Sequence, residues 1–188
     1  MDIGSIKTES KLANNLVKSL SRGYKLTTDK DQVKFLMLCV YLLALGQEEE
    51  SEKICRFISS SCKYDENENT WNSVGHQTLL LARLERLRGN TAESKALVGV
   101  VLKEDILSSR LTKNDYLHEL LSEFDEDLEL LLNETPKWRC EGAVFMYINL
   151  NYCREFVEVT HYEPISEVIK KTETKMDCLL KLLNENLT

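Results

Sequence analysis

The feature that most constrains this chain is a pattern that occurs twice at an offset of 43 residues. Gly46-Gln-Glu-Glu-Glu50-Ser51-Glu-Lys-Ile54 overlays Gly89-Asn-Thr-Ala-Glu93-Ser94-Lys-Ala-Leu97, while Leu36, Leu38, Tyr41 and Ala44 fall on Leu79, Leu81, Leu84 and Leu87. Each copy reads as a long apolar helix, a glycine that ends it in the left-handed conformation, and a second helix with Glu-Ser in its first turn. Units of this kind bury their apolar faces by packing on one another. The pattern therefore predicts an all-α fold built from helical hairpins, arranged either as a stack or as a bundle.

The rest of the chain is helical in the same sense, and no stretch alternates as a strand would. Leu12, Leu16, Val17 and Leu20 form a first stripe, stopped by Gly23. Thr28-Asp29-Lys30-Asp31 offers an N-cap with an acid three positions on, and the helix it opens runs through the apolar stretch 35–45 to Gly46. A helix that is apolar nearly all round needs neighbours on several sides, so 31–45 is the expected centre of the core. Further helices are expected from Glu49 to Cys62, from Trp71 to Arg88, and from a Thr91 cap to Lys103. The pattern Thr112-Lys113-Asn114-Asp115 should cap a helix reaching Asn133. Thr135-Pro136 then places a proline in the first turn of a helix reaching Val159, and a last helix should start at Pro164. Eight helices with short connections imply a single domain over 1–188.

Charge is unevenly divided. Residues 1–90 carry 13 Lys+Arg and 12 Asp+Glu, whereas residues 91–188 carry 11 and 19; within 104–134 alone, 10 acids face only Arg110 and Lys113. A surface for nucleic acid would have the opposite sign, so direct DNA or RNA binding is disfavoured and a basic partner is favoured. The apolar run 35–45 is far shorter than the roughly 20 residues a spanning helix needs, and the start Met1-Asp2-Ile3-Gly4 lacks a leader pattern. No membrane contact and a cytosolic location are expected. Cys39, Cys55, Cys62, Cys140, Cys153 and Cys178 contain no Cys-x-x-Cys pair and sit mostly among apolar residues, which predicts buried free thiols rather than a disulfide framework.

Catalytic signatures are missing. There is no phosphate-binding glycine loop, nucleophile elbow or His-Glu-x-x-His, and His76, His118 and His161 never pair at metal-ligand spacing. No cofactor and no metal is expected, and the chain reads as a non-enzyme; an enzyme whose site is assembled from separated residues is the remaining alternative. His76 falls on the repeat position of Val33, which suggests packing, and His118 should be partly exposed. Cys62, beside Lys63 at a helix end, is the least implausible nucleophile. The run around Glu123-Phe-Asp125-Glu126-Asp127 reads as one helix with two faces. Leu117, Leu120, Leu121, Phe124, Leu128, Leu131 and Leu132 share the inner face, and Glu119, Glu123, Glu126, Asp127 and Glu129 spread over the outer one. Those acids either solvate the helix or dock a basic protein. The alternative contact is the hairpin end near Asp65, Glu66, Glu68 and Trp71. Trp71 and Trp138, each next to a cap, either seal an end of the core or anchor a partner.

At Leu43-Ala-Leu-Gly46…Glu50-Ser51 and Leu81-Ala-Arg-Leu-Glu-Arg-Leu-Arg-Gly89-Asn90…Glu93-Ser94 the sequence resembles tetratricopeptide-like helical-hairpin proteins. More narrowly, it is similar to the small, acidic, all-helical immunity proteins of bacterial polymorphic-toxin and contact-dependent inhibition systems. The likeness covers residues 30–105. It departs from the tetratricopeptide pattern in its offset of 43 rather than about 34 residues, and in lacking that motif's Trp, Tyr and Pro marks. The immunity resemblance implies a cytosolic, non-enzymatic protein that binds one cognate toxin domain and blocks it; many such domains attack nucleic acid and so are basic. A helical adaptor or chaperone that takes a peptide between hairpins is the other expectation.

Overall fold

The structure, a computed structural model, describes residues 1–26, 28–62, 73–105, 110–160 and 165–188. Among these a short 3₁₀ turn, Ile3–Ser5, precedes eight α-helices and there is no strand: α1 (Lys11–Ser21), α2 (Asp29–Ala44), α3 (Glu48–Ser61), α4 (Ser73–Leu87), α5 (Thr91–Asp105), α6 (Arg110–Leu132), α7 (Pro136–Thr160) and α8 (Ile165–Leu187). The all-α expectation holds, with ends mostly within two residues of those read from caps and periodicity. The expected start at Trp71 and the charged stretch before it lie outside the described residues.

The repeat is real at the level of backbone geometry. At the end of α2, Gly46 N–H donates to Leu43 O at 3.0 Å and Gln47 N–H to Leu42 O at 2.8 Å; at the end of α4, Gly89 N–H donates to Arg86 O at 3.0 Å and Asn90 N–H to Glu85 O at 2.9 Å. Gly46 and Gly89 adopt φ of 74° and 84°, the left-handed region where a side chain is disfavoured. The same double hydrogen bond thus closes both helices and turns the chain into α3 and α5. Ser51 and Ser94, one turn later, are both buried, and Ser51 Oγ donates back to Cys39 O at 2.9 Å.

Not every expected cap forms. The Thr28 hydroxyl donates to Lys25 O at 3.0 Å instead of capping α2, and Asp31 accepts from Lys25 N–H at 2.9 Å, so the acid ties down the preceding turn. Asn90 rather than Thr91 precedes α5: its carbonyl accepts from Ser94 N–H. Helix α6 opens at Arg110, ahead of Thr112.

Helix α2 is the centre, as its composition requires. Phe35, Leu36 and 38–42 are buried, and α2 packs against α1, α3, α4, α7 and α8. An open solenoid would keep each hairpin to its sequence neighbours. Here α8 returns to α1 and α2, with Asn184 Nδ2 donating to Ala44 O at 2.8 Å, so the helices close into a bundle.

All six cysteines are free thiols. Cys39, Cys55, Cys140 and Cys153 are buried and Cys62 is half-buried, but Cys178 is exposed, which corrects the expectation of burial. The inward stripe of α8 is Thr172, Met176, Leu179, Leu183 and Leu187, and Cys178, one residue before Leu179, falls on the far side of the helix.

Candidate protein-docking surface

The α6–α7 hairpin carries the acidic segment. It turns tightly: Asn133 N–H donates to Leu130 O at 3.2 Å, Glu134 N–H to Leu131 O at 3.1 Å, and Arg139 reaches back from α7 to the carbonyl of Leu132, the last residue of α6, at 2.8 Å and to that of Glu134 in the turn at 3.0 Å. A cation on those terminal carbonyls also complements the helix dipole. The bare Cα of Gly142 gives the room Leu131 occupies, since a Cβ there would collide with Leu131 Cδ1. On its other flank α6 is pinned to α8 by Lys175, which bonds Asp125 at 2.8 Å and lies 4.2 Å from the centre of the Phe124 ring.

With that flank fixed, the inner face holds Leu117 and Phe124 buried and Leu120, Leu121, Leu128 and Leu131 half-buried. Leu132, expected among them, is 46% exposed because it lies at the helix end, where the turn begins. The candidate acids Glu119, Glu123, Glu126, Asp127 and Glu129 all face solvent. Four of them, Glu119, Glu123, Glu126 and Asp127, fall with Tyr116 and Leu130 within an arc of about 100° on an ideal helix, centred about 130° from the core stripe. Glu129 lies outside that arc. Among the described residues no cation pairs with the four.

Tyr116 is 39% exposed and Leu130 69% exposed, so the stripe begins and ends on apolar side chains that sequence reading passed over. The signal was available: Leu130 does not share the helical face of the other leucines. Trp138 is 57% exposed, with Lys137 Nζ 5.3 Å from its ring centre, so it does not seal the core. It stands across α7 from the buried Cys140, Ala143, Val144 and Tyr147. The alternative contact residues Asp65, Glu66, Glu68 and Trp71 lie outside the described residues. His118 is exposed as expected, while His161 also lies outside them.

A second concentration of charge, not anticipated from the sequence, lies where α4, α7 and α8 meet. Arg83 bonds Glu173 at 2.7 Å, Arg154 bonds Glu173 at 2.6 Å, and Arg86 stands 3.2 Å from both Glu155 and Glu173. Arg83, Arg154 and Glu155 are buried. Burial pushes the Glu155 carboxyl above the ordinary range despite Arg154 and Arg86. Burial acts the same way on Glu173, but hydrogen bonding to Arg83 and the charges of three arginines outweigh it and bring the group down to about 2. The repeat overlay locates this cluster: Val40, Leu42 and Leu43 of the first unit become Arg83, Glu85 and Arg86 in the second. Glu85 turns the other way, accepting from Arg56 of α3 and from Asn90 at 2.7 Å, while Arg88 meets Glu52.

Two further sites bear on chemistry. His76 is buried against Tyr152, ring centres 5.3 Å apart, as packing at the Val33-equivalent position implies; burial holds its pKa down to about 4. Burial raises the Cys62 thiol, the direction opposite to activation of a nucleophile. An open cleft of about 780 Å³ lies between the N-terminal segment and the two hairpins, lined by Met1, Lys53, Phe57, Ser60, Leu81 and Leu97 among others. Among the described residues no group of three or more His, Cys, Asp or Glu is placed to hold a metal, and no helix is long and apolar enough to cross a membrane.

Comparison with protein families, with curated proteins and with solved structures returned no match.

Proposed function

We propose that this chain is a non-enzymatic binding protein, an immunity protein that docks a basic toxin domain in the cytosol through the outer face of α6 and neutralises it. The observation that carries the reading is the α6 stripe. Four carboxylates on one solvent-facing arc have no cation among the described residues to answer them, and exposed Tyr116 and Leu130 bracket them. Carboxylates in that arrangement steer a basic partner toward the face, and the apolar ends supply contacts that outlast the encounter. The core does not need these acids, since the inner face of α6 is complete without them.

The test is to produce the polypeptide encoded beside this gene and mix it with the full chain. A basic protein that binds tightly, loses its toxic activity in the mixture and binds more slowly as salt rises supports the reading. A neighbour without toxicity, or a complex indifferent to salt, contradicts it.

The cleft favours a second reading, an adaptor holding a peptide between the hairpins. Phe57, half-buried in the cleft, separates the two: Phe57→Glu should abolish adaptor binding and leave α6 docking unchanged.

A further inference from the structure

One buried side-chain pair of the first repeat unit has no counterpart in the second. Cys39 of α2 and Cys55 of α3 are both buried, and the Cys55 thiol donates to Cys39 Sγ at 3.6 Å. The Cys39 thiol in turn donates to Ser51 O at 3.9 Å, and the Ser51 hydroxyl holds Cys39 O at 2.9 Å, so both sulfurs are fixed on the contact between α2 and α3. Across the offset of 43 residues Cys39 becomes Ala82 and Cys55 becomes Val98, buried together in an apolar cluster between α4 and α5, while Ser51 stays serine as Ser94. The second unit thus fills the same positions with aliphatic side chains, and packing a hairpin of this kind does not call for two thiols. Sulfurs 3.6 Å apart need to close by about 1.5 Å to reach bonding distance, a movement on the scale of a side-chain rotation.

We propose that Cys39 and Cys55 form a reversible disulfide when the chain meets a peroxide, stapling α2 to α3 and leaving α4 and α5 unlinked. One thiolate attacks an oxygen of hydrogen peroxide; the O–O bond breaks, that sulfur becomes a sulfenic acid, and the hydroxide released takes up the thiol's proton and leaves as water. The second sulfur then attacks the sulfenic sulfur. The S–S bond forms as the S–O bond breaks, and the oxygen leaves as a second water with the remaining thiol proton. The two sulfurs have given up two electrons, and the peroxide has taken them. Burial pushes the Cys39 thiol well above its ordinary range, so the resting pair is unreactive. Reaction waits on a local opening of the hairpin that admits peroxide, and reclosure delivers the second sulfur. Once linked, α3 no longer lifts from α2, and the wall of the cleft formed by Lys53, Phe57 and Ser60 is fixed to the central helix.

The experiment incubates the reduced, folded full chain overnight with hydrogen peroxide, alkylates the remaining thiols in urea and digests with trypsin. Cleavage after Lys34, Lys53 and Arg56 places the two cysteines on separate peptides. Mass spectrometry should find peptide 35–53 disulfide-linked to peptide 54–56 as the dominant link within the chain, and dithiothreitol should remove it. The same oxidation in urea should scatter the pairing over the six cysteines, because loop closure in the unfolded chain depends weakly on length. Peroxide should also raise the thermal unfolding midpoint of the folded protein by roughly 6–12 °C, the scale for a short closed loop in a chain of this size, and dithiothreitol should reverse the rise. The double variant Cys39→Ala, Cys55→Val carries the residue types of the second unit and should lose both the link and the rise. Recovery of Cys39 and Cys55 alkylated after the exposed Cys178 has been oxidised overturns the proposal. So does a link no more prevalent in the folded chain than in urea, a linked protein whose midpoint does not rise, or a rise that persists in the double variant.

Discussion

The carboxylates along α6 and the charges shared by α4, α7 and α8 are the same kinds of group in opposite surroundings. On α6, Glu119, Glu123, Glu126 and Asp127 stand in water beside one another. Between the other helices, Glu173 is gripped by Arg83 and Arg154 at 2.7 and 2.6 Å, and Arg86 bridges it to the buried Glu155. The difference teaches that the densest run of charge in a sequence is not where charge matters to folding. A buried charge must be answered or the helices part. An exposed cluster of like charges contributes little to the stability of its own fold.

The largest expected effect follows from removing the hub of the buried set. Glu173→Ala removes a carboxylate that Arg83, Arg154 and Arg86 share, and should cost about 3 kcal/mol in urea unfolding, the low end for a broken buried pair because part of Glu173 meets water. Glu173→Gln should recover some of that by keeping hydrogen-bond acceptance. A loss below about 1 kcal/mol, the scale of a surface pair, would erase the distinction between the two regions.

Acid should lower stability through two interior groups, His76 and Glu173. His76 has a folded pKa of about 4, below the ordinary 6.5, because burial disfavours its charged form. Between those values the unfolded chain binds a proton that the folded chain does not, so stability falls as pH falls through about 6.5 to 4. Glu173, held down at about 2, contributes stability that is present above its ordinary 4.5 and is lost as pH falls from there toward 2. His76→Val, which restores the residue type of Val33, should flatten the upper part of the acid slope, and Glu173→Gln the lower part. Unfolding midpoints measured from pH 7 to 3 check both; an unchanged slope in His76→Val would mean that His76 is not the group titrating.

The smallest effect should come from α6. Converting Glu119, Glu123 and Glu126 to Gln removes like-charge neighbours three and four residues apart, so the unfolding midpoint should stay or rise slightly. A clear fall in thermal denaturation would show that these acids support the fold after all.

Much of this fold was legible because helices are punctuated locally. Gly46 and Gly89 announce their turns, Pro136 its first turn, and the apolar run 35–45 its central place. What was not legible depends on which helix covers which face. Periodicity gives the angle of Trp138 and Cys178 on their helices, but the caps and apolar neighbours beside them pulled the reading inward. Bundle against stack was decided by α8 packing on α1 and α2, a contact between the two ends of the chain that no local pattern encodes. The α6 acids were placed correctly because amphipathicity fixes them. The buried cluster was missed because Arg and Glu read as solvent-facing unless set against Val40, Leu42 and Leu43.

The central claim, that the outer face of α6 is the docking face, is tested most directly by calorimetric affinity for the toxin domain in two triple variants of the full chain. One carries Glu119→Lys, Glu123→Lys and Glu126→Lys; the other carries Glu48→Lys, Glu49→Lys and Glu50→Lys in the first turn of α3. The account predicts a loss of at least about 30-fold for the α6 variant, as when charge pairs are broken in an interface, and a change within a few-fold for the α3 variant. Equal affinities for the two, or a greater loss at α3, would contradict it.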